Sequence, residues 1–140
     1  PHRWEFNHDM VGYNYRMPNI NAALGCAQLE QLPGFIEKKR NLASRYREAF
    51  KDVQGIRFFK EPDFARSNYW LNVLILNEEF AYKRDNLLES TNNAGIMTRP
   101  LWMLMHKLSM YQDCPRMDLS LAESLESRVI NIPSGASLGE

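Results

Sequence analysis

The chain has 140 residues, of which 44% are hydrophobic and 24% are charged, and its formal net charge is +0. These values suit one folded domain, and the neutral charge argues against general binding to nucleic acid or to a membrane surface, because such proteins carry a basic excess. Cys26 and Cys114 fit neither a disulfide framework nor a zinc ribbon, and no apolar run reaches the length of a membrane span, so we expect a reduced, cytoplasmic protein.

The first residues, 1–11, are polar and aromatic and are predicted to form an extended arm. His2, His8 and Asp9 suggest a metal site in this stretch. They lack a second helical His at i+4 and a nearby Cys ligand, so we predict no metal site. The chain starts at Pro1 without an initiator Met, and we expect it to be a piece of a longer protein.

Residues 12–25 are predicted to run from a polar, aromatic loop into a helix capped by Asn19. A helix N-terminus presents free N–H groups and a partial positive charge, and here Asn14 and Arg16 precede it. The stretch therefore indicates an anion site. In the alternative interpretation Asn14 caps a turn, Arg16 pairs with a carboxylate, and Tyr13 and Tyr15 fill the core.

Two helical stretches are predicted next, over residues 19–32 and 35–50, and Pro33 and Gly34 are expected to break or kink the helix between them. The basic run at residues 38–40 lies in the second helix and is interpreted as a solvated face.

The rest of the chain alternates strands and helices. Strands are predicted at residues 56–59, 68–76, 96–100 and 128–134, and helices at 80–93 and 120–126, with an irregular Met- and Trp-rich stretch at 101–117. The run 68–76 is almost continuously apolar and is expected to be the central strand, covered on both faces. The order of elements predicts an α+β fold, with a few mainly antiparallel strands covered by helices.

Several stretches occur together in one order along the chain. They are residues 12–17, residues 21–25 with 28–29, residues 39–40 with 46, residues 95–96 leading to 99–102, and residues 131–134. In combination they resemble the C-terminal part of the pyridoxal-phosphate-dependent sugar-nucleotide aminotransferases. Residues 1–6 and 67–71 resemble most the branch that aminates C4 of UDP-linked 4-keto-6-deoxy-N-acetylhexosamines, on the way to bacillosamine- or legionaminic-type sugars.

The resemblance implies the aspartate-aminotransferase fold (fold type I) and a homodimer with its active site between subunits. It also implies amino transfer from glutamate to a sugar nucleotide for surface polysaccharide or glycan synthesis. Residues 1–18 would be an active-site arm and 19–140 the small C-terminal domain. Asn14 and Arg16 would donate to the phosphate of pyridoxal 5'-phosphate (PLP) across the dimer, while Tyr13 and Tyr15 shape the pocket. Arg99, Trp102 and His106 would face the sugar nucleotide.

The family's reaction needs a Schiff-base lysine and an acidic partner for the pyridinium nitrogen. The resemblance places both in a large domain upstream, so we expect the 140-residue chain to be inactive alone. Two alternatives remain open: a dimerisation or nucleotide-sensing module of the same fold, and a single-stranded nucleic-acid binder that stacks bases on Trp4, Tyr13, Tyr15 and Trp70.

Overall fold

The computed structural model describes residues 11–13 and 15–139, and the chain divides into two compact units, residues 1–33 and 34–140. The arm predicted at residues 1–11 lies outside the described residues except for Val11. The helices are α1 (Asn19–Ala49), α2 (Arg84–Asn93) and α3 (Ser120–Glu126), and the strands are β1 (Ile56–Phe58), β2 (Asn72–Leu76), β3 (Arg99–Pro100) and β4 (Val129–Ile132).

Helix α1 is continuous from Asn19 to Ala49, so of the two outcomes predicted at Pro33 and Gly34 the break is wrong, while the kink stays a prediction. Proline lacks an N–H, which removes one hydrogen bond from a helix interior. That bond would go to the carbonyl of Leu29, and Leu29 is 66% exposed, so water can reach the carbonyl that loses its partner. The break was predicted from local propensity, and here propensity did not decide the outcome.

In the first unit, α1 begins where Ala22 donates its N–H to the carbonyl oxygen of Pro18 at 3.0 Å. Pro18 therefore holds the N-cap position, one residue before the predicted Asn19. The apolar side chains of this helical segment are exposed, with Ile20 81% and Leu24 61% accessible.

The second unit is built on a four-stranded sheet in the order β1-β2-β4-β3, in which every adjacent pair is antiparallel. The two inner strands are matched with Asn72 opposite Ile132 and Leu74 opposite Ile130. Their buried side chains form the core, against which the last turns of α1 and part of α2 pack. The cluster consists of Leu74, Leu76, Ile130 and Ile132, with Tyr46, Phe50, Ile56, Phe58, Phe80 and Leu88 around it. The α+β prediction is confirmed.

The second helical region differs in detail from the prediction of one helix at 80–93. A 3-10 segment at Glu78–Lys83 precedes α2, which ends at Asn93. Gly95 follows with φ +78°, donating to the carbonyl of Asn92, while Ile96 donates to the carbonyl of Thr91. This is a Schellman cap, and it explains why the helix stops where the sequence indicated.

The strand predicted at residues 68–76 is shorter in the structure, because β2 begins only at Asn72. The preceding residues form turns: Tyr69 has φ +47°, and the amides of Tyr69 and Trp70 bond to the side chains of Ser67 and Asn68. These local bonds compete with sheet pairing.

Candidate functional site

The predicted anion loop lies in the first unit. Tyr13 and Tyr15 are 80% and 90% exposed, and their ring centroids are 6.0 Å apart. The alternative in which these rings fill the core is therefore wrong for this chain. Arg16 is also exposed. Asn14, the other predicted phosphate donor, lies outside the described residues.

The described part of this loop suits an anion. The guanidinium of Arg16 comes three residues before α1, and the first turn of α1 has no acidic residue that would oppose a bound negative charge. The N–H groups of a helix start add to this positive potential. An arginine and a helix start are groups that can bind a phosphate, whereas the described loop residues 11–13 and 15–18 include no lysine that could bond the aldehyde of PLP.

The residues predicted to face the sugar nucleotide are all in the second unit. Arg99 is exposed on the edge strand β3, where its guanidinium contacts the sulfur of Met97 at 3.5 Å. Trp102 follows β3 and is 65% exposed. Its ring stacks on that of Trp70, with centroids 6.2 Å apart and an interplanar angle of 22°. Trp70, a residue not predicted for this group, is 68% exposed.

His106 lies in a short 3-10 turn, Met105–Lys107, which is tied to α3. Its Nε2 is 2.9 Å from Oε1 of Glu123, and Lys107 pairs with Glu126. The hydrogen bond from Lys107 holds the pKa of the Glu126 carboxyl below its usual value. These two contacts fix the turn on the helix. His106 also borders a cavity of about 400 Å³, whose other lining residues are Leu104, Met105, Tyr111, Cys114, Pro115, Arg116, Leu119 and Ala122.

The basic run of α1 is not the solvated face that was predicted. Residues 38–40 are half-buried. The ammonium of Lys39 donates to the carbonyl oxygens of Ser134 at 2.5 Å and of Trp70 at 3.3 Å. Burial lowers the pKa of Lys39, since desolvation disfavours the charged form. Lys39 thus connects α1 to the start of β2 and to the end of β4.

Arg40 binds the loop between β1 and β2, which we call the strap (residues 59–71). Its guanidinium forms two parallel bonds to the Glu61 carboxylate, at 2.5 and 3.1 Å, and donates to the carbonyl of Ser67 at 2.7 Å. It also lies over the ring of Tyr69, 5.5 Å from the centroid. The bonds from Arg40 and the amide of Ser67 lower the pKa of Glu61 to about 2.

Sequence reasoning missed this network and the part of Trp70 in the aromatic pair. Arg40 and Glu61 are 21 residues apart, and no periodicity links them. The available signals were the Pro62 that indicated a loop and the Ser67-Asn68 pair, whose side chains favour turns. Neither signal names a distant partner.

The part of the chain that the structure describes shows neither a metal-binding cluster nor a membrane-spanning helix. No group of three or more His, Cys, Asp or Glu side chains within residues 11–13 and 15–139 is arranged to hold a metal ion. No helix in that part of the chain has both the length and the apolarity needed to cross a membrane.

Comparison with known sequences identifies the family. The sequence model of the DegT/DnrJ/EryC1/StrS aminotransferase family matches residues 2–140. GDP-perosamine synthase of Vibrio cholerae is 38% identical over 128 residues, which is 91% of this chain and 35% of that protein. UDP-4-amino-4,6-dideoxy-N-acetyl-beta-L-altrosamine transaminase of Campylobacter jejuni (strain NCTC 11168) is 29% identical over 109 residues, 78% of this chain and 29% of that protein. The chain thus spans about a third of the length of such relatives.

Solved structures agree with this result. The aminotransferase TlmJ of Streptoalloteichus hindustanus superposes with a TM-score of 0.83 and 25% identity, over 96% of this chain and 36% of TlmJ. Helicobacter pylori PseC is 24% identical, and the match covers 99% of this chain and 38% of the PseC chain. Its TM-score is also 0.83, which supports the fold. The chain belongs to the DegT/DnrJ/EryC1/StrS aminotransferase family.

Proposed function

We propose that this chain is the C-terminal segment of a PLP-dependent aminotransferase that transfers an amino group from glutamate to a 4-keto-6-deoxy sugar nucleotide. The product would enter surface polysaccharide or glycan synthesis. In this proposal residues 1–18 are the active-site arm and residues 19–140 the small domain. Family membership supports the reaction class, and the two free cysteines, Cys26 and Cys114, support a reducing, cytoplasmic setting.

The observation that carries the proposal is the exposed loop before α1. Tyr13 and Tyr15 leave most of their ring surface uncovered, which is costly unless another surface covers it. We infer that a second copy of the protein does so and that its active site receives the loop. Arg16 and Asn14 would then donate to the cofactor phosphate and the two tyrosines would wall the pocket. PLP supplies the electron sink for amino transfer when bound.

Residues of the second unit would bind the other substrate. Arg99 offers a cation at the sheet edge for the diphosphate, since a guanidinium matches phosphate oxygens. Trp102 offers an exposed aromatic face. His106, oriented by Glu123, offers its second ring nitrogen for a hydrogen bond.

Two nucleotides are candidates for the sugar carrier. Identity of 38% to a GDP-perosamine synthase favours a GDP-linked sugar. The 29% identity to an altrosamine transaminase leaves the UDP-linked N-acetylhexosamine suggested by residues 1–6 and 67–71 as the second candidate. The pocket that distinguishes them would include groups outside this chain.

The Schiff-base lysine is expected to come from elsewhere in the full-length protein. Lys39 shares one property of such lysines, a pKa lowered by burial. However, its ammonium is bonded to two main-chain carbonyls, of Trp70 and Ser134. We therefore assign Lys39 to the fold and expect the 140-residue chain alone to show no transaminase turnover.

The test is amination by the full-length protein in which this chain occurs. The purified protein is incubated with glutamate, PLP and either GDP-4-keto-6-deoxymannose or UDP-4-keto-6-deoxy-N-acetylglucosamine, and the amino sugar is measured by mass spectrometry. Product from either nucleotide supports the enzyme, and the ratio of the two kcat/KM values selects the candidate. A full-length protein that neither binds PLP nor forms product would overturn the proposal and favour a non-catalytic dimerisation module.

A further inference from the structure

The strap is held far more firmly than a connecting loop requires. Arg40 binds Glu61 through two parallel bonds, and the amide of Ser67 donates to the same carboxylate. The hydroxyl of Ser67 in turn accepts the amide of Tyr69 at 2.9 Å. Lys39 then bonds the carbonyl of Trp70. Loops usually tolerate more freedom than this network leaves.

The network also holds a strained residue. Tyr69 has φ +47°, a left-handed conformation that is uncommon for a residue with a large side chain. Such strain persists only where the surroundings over-determine it. Here the Arg40 guanidinium covers the Tyr69 ring and Phe58 stacks beside it, with centroids 6.3 Å apart.

The backbone conformation of Tyr69 sets the direction in which the next side chain, Trp70, leaves the chain. Tyr69 is packed against α1 and β1, whereas Trp70 is 68% exposed and stacks on Trp102. Exposed tryptophans lose favourable burial, so two of them stacked at the surface indicate a contact surface. The two rings are within 22° of parallel, and their stack joins the strap to the segment after β3.

We propose that Arg40 and Glu61 are positioning residues that hold Trp70 against Trp102, and that this aromatic pair is the stacking platform for the base of the sugar nucleotide. The inference rests on the proposed function. A base is the planar aromatic part of that substrate, and stacking on an aromatic side chain tolerates any base. The platform would therefore contribute affinity for the nucleotide, while other groups select guanine or uracil.

The experiment uses the full-length protein and two readouts. Stacked tryptophans give an exciton couplet in far-ultraviolet circular dichroism, which Trp70→Phe and Trp102→Phe should each remove. Binding of GDP and of UDP is measured by calorimetry, with inorganic pyrophosphate and free N-acetylglucosamine as ligands that lack a base. Trp70→Ala and Trp102→Ala should each weaken nucleotide binding roughly 5- to 150-fold and leave pyrophosphate binding unchanged.

The strap is tested with Arg40→Gln and Arg40→Lys. Lysine keeps the charge but loses the planar fork, so both variants should reduce the couplet and the nucleotide affinity. Asp63→Asn is the matched control, because Asp63 lies in the same strap and is 97% exposed in its pair with Lys60. It should change neither readout. Thermal melts identify variants that fail to fold. If Trp70→Ala fails to fold, Trp70→Phe, which keeps an aromatic ring, replaces it in the binding measurement.

Three results would overturn the inference. They are unchanged nucleotide affinity in both tryptophan-to-alanine variants, equal losses for pyrophosphate and nucleotide, and an intact couplet in Arg40→Gln. If amination proceeds with an unchanged KM for the sugar nucleotide in Trp70→Ala, the platform is wrong and the aminotransferase stands. If wild-type protein forms no amino sugar but still binds nucleotide through the platform, the proposed reaction fails and the platform stands.

Discussion

Replacing Gly139 by alanine should destabilise the second unit, because the new methyl group has no space. A Cβ at this position would lie 2.6 Å from the carbonyl carbon of Lys38 in α1 and would overlap its oxygen. Ordinary carbon–carbon contact is about 3.5–4.0 Å, so the C-terminal turn would have to move roughly 1 Å from a main-chain group that cannot rotate away. Overpacking of this kind costs about 1–3 kcal/mol.

The movement would also strain the bonds that hold this turn, and the segment just before it, to α1. Arg45 donates to the carbonyl of Leu138 at 3.0 Å, and the Tyr46 hydroxyl donates to that of Pro133 at 3.1 Å. The assay is thermal unfolding of the full-length protein, where we expect a fall of several degrees. Gly34→Ala is the control: it lies within α1 with open space around its Cβ position and should be neutral or slightly stabilising. Wild-type stability in Gly139→Ala, or equal losses in both variants, would refute the close approach of the turn to α1.

Three further predictions concern the cofactor, the strap and the core. Arg16→Ala should weaken PLP retention by about 1.5–3 kcal/mol, measured by equilibrium dialysis of full-length protein, with the exposed Arg57→Ala as control; equal retention in both would contradict the phosphate role. The pKa of Glu61 is lowered from 4.5 to about 2, so its ionised form favours the folded state at neutral pH and this contribution falls as pH drops from about 4.5 towards 2. The difference in melting temperature between wild type and Glu61→Gln should therefore shrink over that range, and a constant difference would refute the ion pair. Leu74→Ala should cost about 2–5 kcal/mol in urea unfolding, because Leu74 is buried in the core, and a loss below 1 kcal/mol would place it outside that core.

Local signals predicted the parts of the fold that depend on local physics. The helix at residues 120–126 is confirmed with the same bounds, and the Asn93-Ala94-Gly95 sequence marked the end of α2, because a left-handed C-cap position favours glycine. Local signals could not decide whether Pro33 breaks the helix or lets it continue with a kink. A proline costs one helical bond, but surrounding structure and solvent decide whether the helix survives that cost.

The same distinction between local and long-range contacts applies to the candidate site. Arg16 and the helix start are adjacent in sequence, so their joint suitability for an anion was predictable, although their role with PLP remains a prediction. The Arg40–Glu61 pair and the Trp70–Trp102 stack join residues 21 and 32 positions apart, and only the folded chain brings them together. Long side chains such as Lys39 are assigned to solvent by periodicity, but tertiary contacts gave this one two carbonyl partners.

The edges of the sheet limit how this protein can associate with other chains. The outer strands are β1, with three residues, and β3, with two, and β3 ends at Pro100, which has no N–H to offer a neighbour. Short edges and proline protect natural sheets against the addition of foreign strands. Partners should therefore recognise this domain through its side chains, and a nascent chain that folds in crowded conditions should have little tendency to polymerise through its sheet.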